Sequence, residues 1–85
     1  MLLRQMKYFA AVVECASFTE AAARCFISQS AISQQIQSLE RELGVELLDR
    51  RNRRFELTAA GEYFYSRCKV ILSQADDAVQ EAKRL

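Results

Sequence analysis

The chain has 85 residues, 51% of them apolar, which leaves room for one small domain with a limited core. Its longest apolar run, Phe9 to Val13, is far too short to cross a membrane, and the start MLLRQMKYF lacks the pattern of a signal peptide, so a cytoplasmic location is expected. Twelve basic side chains offset eleven acidic ones to a net charge of +1, and with no histidine, two glycines and no nucleophile motif the composition argues against an enzyme.

In chain order, Leu2, Met6, Phe9, Val13 and Ala16 recur at helical spacing and predict a first helix over 2–16. Ser17-Phe18-Thr19-Glu20 fits a capping box, in which the serine accepts from an orphan amide and the glutamate reaches back. Phe18, Ala21, Ala22 and Cys25 then form the inward face of a helix of roughly two turns. Phe26 and Ile27 make a turn, and Ser28 is a good N-cap for the next helix.

That next helix, Ser28 to Leu43, carries the most information. Ile32, Ile36, Leu39 and Leu43 share one side. The remaining side holds Gln29, Ser30, Ser33, Gln34 and Gln37 where a merely solvated helix would carry Lys and Glu. Short hydroxyls and amides that both donate and accept are what reading base edges in a major groove requires. The pair of helices is a helix-turn-helix, with 28–43 as its recognition helix.

Gly44 is the expected left-handed cap of that helix. Val45 and Leu47, then Phe55 and Leu57, alternate with polar residues and predict two short strands around Arg50-Arg51-Asn52-Arg53-Arg54, a charged hairpin tip. Four of the twelve basic residues fall within these five positions, so a local positive field exists despite the small net charge. Thr58 caps a last helix, Ala59 to Leu85, with Gly61 in its first turn. Phe64, Cys68, Ile71, Ala75, Ala78, Ala82 and Leu85 alternate spacings of four and three, which predicts a helix-packing seam. Such a helix is about 40 Å long, too long to lie wholly on so small a domain, and is expected to protrude and find a partner. The chain ends in mid-pattern, as an excised part of a longer protein would. Cys15, Cys25 and Cys68 form no CxxC pair and sit at apolar helical positions, the pattern of buried reduced thiols rather than of a disulfide framework or metal site.

These residues resemble the N-terminal DNA-binding domain of LysR-type transcriptional regulators. The resemblance rests on Phe9, SFTEAA at 17–22, Ser28-Gln29, Ile32-Ser33, Ile36 with Leu39-Glu40, Leu43-Gly44, Leu47, Arg50, and Leu57-Thr58 with Gly61, and it covers essentially the whole chain. It implies a mainly α fold: a winged helix-turn-helix of three helices and a two-stranded wing over 1–57, then a linker helix over 58–85 that dimerises as an antiparallel pair. It also implies an effector domain beyond this chain, where a small molecule binds, with no cofactor in this part. Three positions depart from the family pattern. Ser30 and Ala59 replace prolines, and Leu48 stands where an aromatic is usual. Ser30 restores an amide and adds a hydroxyl in the first turn of the recognition helix.

The expected site follows. Gln29 is the leading base reader, because its amide can pair bidentately with adenine. Ser30, Ser33 and Gln34 share its groove-facing side, and Gln37, a turn further along, reaches a phosphate or solvent. Ser17, Thr19 and Ser28 are caps that also orient helix N-termini toward phosphates. Arg53 and Arg54 at the hairpin tip suit a minor groove or a phosphate, and Arg50 is structural or phosphate-facing in the resembled family. Glu40 is expected to pair with a nearby basic side chain rather than face DNA. The expected partners are double-stranded DNA carrying an interrupted inverted repeat and a second copy of the chain, joined through Phe64, Cys68, Ile71, Ala75, Ala78, Ala82 and Leu85, with higher oligomers in the full-length protein. A rival reading keeps the winged fold only as scaffold for a helical dimer. It leaves the arginine hairpin and the uncharged Gln/Ser face without a purpose.

Overall fold

The structure, a computed structural model, describes residues 1–51 and 55–85. Asn52, Arg53 and Arg54 lie outside the described residues, and with them the expected hairpin tip.

Helix α1 spans Leu3–Cys15, with the Gln5 side chain accepting from the Leu2 amide at 3.1 Å. It ends at Ala16, whose φ of 50° turns the chain into the left-handed region. Helix α2, Phe18–Arg24, starts at Ser17, whose hydroxyl accepts from the Glu20 amide at 3.1 Å. Only this half of the expected capping box forms among the described residues; the Glu20 side chain makes no return bond. Phe26, with φ 59°, carries the turn into α3, Gln29–Leu43. Ser28 caps α3 by accepting from the Ala31 amide at 3.1 Å, and Gly44 closes it at φ 75°.

The wing is shorter than the alternation predicted. Strands β1, Leu48–Asp49, and β2, Glu56–Leu57, pair antiparallel with Leu48 opposite Leu57 and Asp49 opposite Glu56. Val45 is half exposed and belongs to neither strand. The reason is visible at Leu47, whose amide donates to the Glu40 carboxylate and whose carbonyl accepts from the Thr58 amide at 3.1 Å. Leu47 is tied to a helix and a cap before a ladder can begin.

Helix α4, Ala59–Arg84, starts at Thr58, whose hydroxyl accepts from the Gly61 amide and donates to the Glu46 carbonyl. Gly61 is required for a reason that helix propensity does not reveal. A Cβ there would stand 2.0 Å from the Leu47 carbonyl oxygen, so α4 rests directly on the backbone entering the wing.

One core joins all of this. Phe9 and Val12 of α1, Ala21 and Ala22 of α2, Ile32, Ile36 and Leu39 of α3, and Leu47 and Leu48 are buried together. Ala21 and Ala22 let helices cross closely. The first turns of α4 also belong to this core, which corrects the expectation that Phe64 and Cys68 join a second copy of the chain. Cys68 is fully buried, Phe64 packs on Phe9 with ring centroids 5.8 Å apart, and Ile71 is partly buried against the same cluster. Phe64 and Cys68 are therefore interior residues, and the helical unit does not divide cleanly at residue 58. Burial holds the Cys68 thiol neutral, its pKa pushed up to about 11. Beyond Ile71 and Leu72 the helix leaves the core. Ala78, Ala82 and Leu85 are exposed and Ala75 is half-buried, in a molecule whose long axis is 49 Å.

Candidate nucleic-acid interface

The outward face of α3 is built as the spacing predicts. Gln29, Ser30, Gln34 and Gln37 are exposed, and Ser33 is half-buried beside the core-facing Ile32 and Ile36. Because Ser28 satisfies an amide of the first turn, the N-terminal end of α3 is fixed without using Gln29 or Gln34. The Ser28 and Ser30 hydroxyls lie 3.3 Å apart, so Ser30 also interacts with the cap.

Gln29 is held from α2. The Thr19 hydroxyl donates to its Oε1 at 3.0 Å, which orients the amide and leaves both N–H donors and one oxygen lone pair for a ligand. Thr19 itself is exposed, whereas Ser17 is half-buried and engaged in its cap. Spacing alone could not reveal the Thr19–Gln29 contact, since the two residues lie on different helices.

The arginine run divides. Arg50 turns to Glu40, its Nη2 2.9 Å from Oε1 and its Nη1 3.0 Å from Oε2. That carboxylate also accepts from the Leu47 amide at 2.7 Å and the Leu48 amide at 3.3 Å, with its side chain only 9% exposed. Burial is the largest influence on Glu40 and pushes its pKa up. The Arg50 bond and the two amides together outweigh it and hold the carboxyl below its usual range. Glu40 is thus structural, as expected, and Arg50 takes the structural one of its two expected roles, as the partner that neutralises it. Arg51 pairs with Asp49 through two N–H bonds of 3.1 Å and donates its amide to the same carboxylate at 3.0 Å, which lowers the Asp49 pKa. Both described arginines of the run serve carboxylates. The expected contacts by Arg53 and Arg54 fall outside the described residues.

Two features escaped the sequence reading. Arg41 follows Gln34 and Gln37 on the same side of α3 and lines an open hollow of about 380 Å³ with Gln37, Glu40, Gly44, Val45, Glu46 and Arg50. Its spacing was the available signal. Phe26, in the turn, is 94% exposed, which no pattern of apolar residues indicates. Among the described residues no group of side chains could hold a metal ion, and no helix is long and apolar enough to cross a membrane.

Residues 3–62 match the family model described as bacterial regulatory helix-turn-helix protein, lysR family. The HTH-type transcriptional regulator YnfL of Escherichia coli K12 is 52% identical over 83 residues, covering 98% of this chain and 28% of YnfL. BenM of Acinetobacter baylyi is 46% identical over 85 residues, again covering 28% of the relative. Among solved structures, the BenM DNA-binding domain in complex with catB site 1 DNA superposes with a TM-score of 0.94 at 46% identity, covering 99% of this chain and 93% of that one. The CbnR DNA-binding domain in complex with DNA superposes with a TM-score of 0.89 at 43% identity, covering 99% of this chain and 97% of that one. The chain spans about 28% of the length of these curated relatives.

Proposed function

The chain belongs to the lysR family of bacterial regulatory helix-turn-helix proteins, and from that premise we propose that it is the part of a transcriptional regulator that reads double-stranded DNA. The observation that carries this is the exposed Gln29–Ser30–Ser33–Gln34 face of α3, with its leading amide held from α2 by Thr19. Side chains on a helix braced by a core and by the Glu40 clamp can be aimed to within the tolerance that a base edge demands. The relatives solved as DNA complexes support the same use of this fold.

In this reading α3 enters the major groove. Gln29 reads a base, Ser30, Ser33 and Gln34 read bases or bridging water, and Gln37 with Arg41 meets the flanking backbone. Two copies pair through the part of α4 that the core leaves uncovered: Ala75, Ala78, Ala82 and Leu85, with Val79 beside them. Ile71 sits where the two roles join. Small residues at that spacing let two helices approach closely. A two-fold pair then reads an inverted repeat whose interruption mirrors the distance between its recognition helices. The complete regulator carries a further domain for a small-molecule effector, assembles to higher order, and works in the cytoplasm.

Gel-shift titration against a duplex selected from a random library and against unselected duplex, each at two salt concentrations, tests the proposal. Specific binding should exceed non-specific binding by about 10³-fold or more, with both weakening as salt rises. Absence of binding to either duplex would leave the fold as a scaffold for helix pairing.

A further inference from the structure

Three helices meet at one carboxylate away from the reading face. Glu14, in the last turn of α1, accepts at Oε1 from Arg24 Nη1 of α2 at 2.7 Å and at Oε2 from the Tyr65 hydroxyl of α4 at 3.0 Å. One turn further along α4, the Lys69 ammonium stands 5.6 Å from the centre of the Tyr65 ring. The Glu14 and Arg24 side chains are 43% and 52% exposed, and exposed pairs of this kind add little to stability. The core beneath them holds the helices together without their help.

What the network supplies is direction. Thr58 and Gly61 seat the first turn of α4, and beyond it the contacts, Phe64 on Phe9 and Cys68 in the core, are apolar and non-directional. The Tyr65 phenol adds a preferred direction, since its hydrogen bond weakens as the angle departs from linear. From Tyr65 the helix continues to Arg84, a lever of about 28 Å. A tilt of about 10° moves its far end by roughly 5 Å, more than the ~3.4 Å between successive base pairs. In a pair joined through the distal half of α4, the same tilt swings each recognition helix relative to its mate.

We propose that the Arg24–Glu14–Tyr65 network is an angular latch between α4 and the helix-turn-helix, and that Tyr65 is a positioning residue for the spacing between half-sites. This rests on the pairing proposed above.

The test uses Tyr65→Phe, which removes one hydroxyl and keeps the ring. Duplexes carrying two copies of the selected half-site, with spacers stepped by one base pair, are titrated beside a duplex with a single half-site. The parent should bind one spacing about tenfold tighter than spacings two base pairs away, the ratio a coupling of ordinary size produces. Tyr65→Phe should narrow that ratio to about threefold or less while its single-half-site affinity and thermal midpoint stay close to the parent's. Glu14→Ala should give the same flattened profile, and the double variant should go no further than Glu14→Ala, because both changes remove the Tyr65–Glu14 bond. An unchanged spacing profile in Tyr65→Phe overturns the latch. So does a variant that loses half-site affinity and thermal stability together yet keeps its preferred spacing, since that is a purely structural role. A parent with no spacing preference also overturns it. Sedimentation then separates the two ideas: a dimeric parent leaves the pairing standing, and a monomeric one removes both.

Discussion

The two halves of α4 carry the same repeat and meet opposite fates. Phe64, Cys68 and Ile71 in the proximal half pack against Phe9 and the rest of the core, while Ala78, Ala82 and Leu85 in the distal half face solvent. The periodicity is one continuous stripe. What changes is whether the domain's own surface extends far enough to cover it. A seam in sequence therefore reports that a helix has an apolar side, not whether the partner is the same chain or another copy.

The contrast can be broken most forcefully at Gly61. A methyl group there meets the Leu47 carbonyl, which is backbone and held by Thr58, so α4 must lift away from the wing. Gly61→Ala should cost about 3 kcal/mol, toward the upper end for overpacking, read as a lower urea midpoint. A second pair of variants sharpens the comparison. Ile71→Glu puts a carboxylate against the core and should lower the urea midpoint by an amount corresponding to about 2 kcal/mol. Ala82→Glu should leave the midpoint within about 0.5 kcal/mol of the parent, as exposed substitutions usually do, yet abolish the concentration-dependent dimer in sedimentation equilibrium. If both variants behaved alike in both measurements, the division of the helix would be wrong.

A smaller effect comes from the clamp that joins α3 to the wing. The Glu40 carboxyl is held below its usual range, so it contributes stability that is fully present above the unfolded-state pKa and lost as pH falls through the folded one. Thermal midpoints measured from neutral to acidic pH should fall more steeply below the ordinary carboxyl range for the parent than for Glu40→Gln. Glu40→Gln should start lower at neutral pH, because Arg50 keeps only a neutral partner. Parallel curves would remove Glu40 from this role.

What could be read from the sequence was what short-range chemistry decides. The caps at Ser17, Ser28 and Thr58, the left-handed Gly44, and the buried stripe of Ile32, Ile36 and Leu39 stand where hydrogen-bonding groups and helical spacing put them. Tertiary pairing was not legible in the same way. Arg50 and Arg51 look like members of one basic patch until Glu40 and Asp49 are seen to engage them. Glu14 and Tyr65 are 51 positions apart, and nothing local in either marks the bond. The reading face itself was legible because it departs from what solvent would select, Gln and Ser where Lys and Glu are usual. Its bracing by Thr19 required the fold.

The most direct test of the account is Gln29→Ala, titrated on the selected duplex and on unselected duplex under the same salt. The variant should lose about 1–3 kcal/mol on the selected site and bind unselected DNA as the parent does, because a base contact disappears while phosphate contacts remain. Equal losses on both duplexes would contradict the assignment of this face of α3 to reading bases.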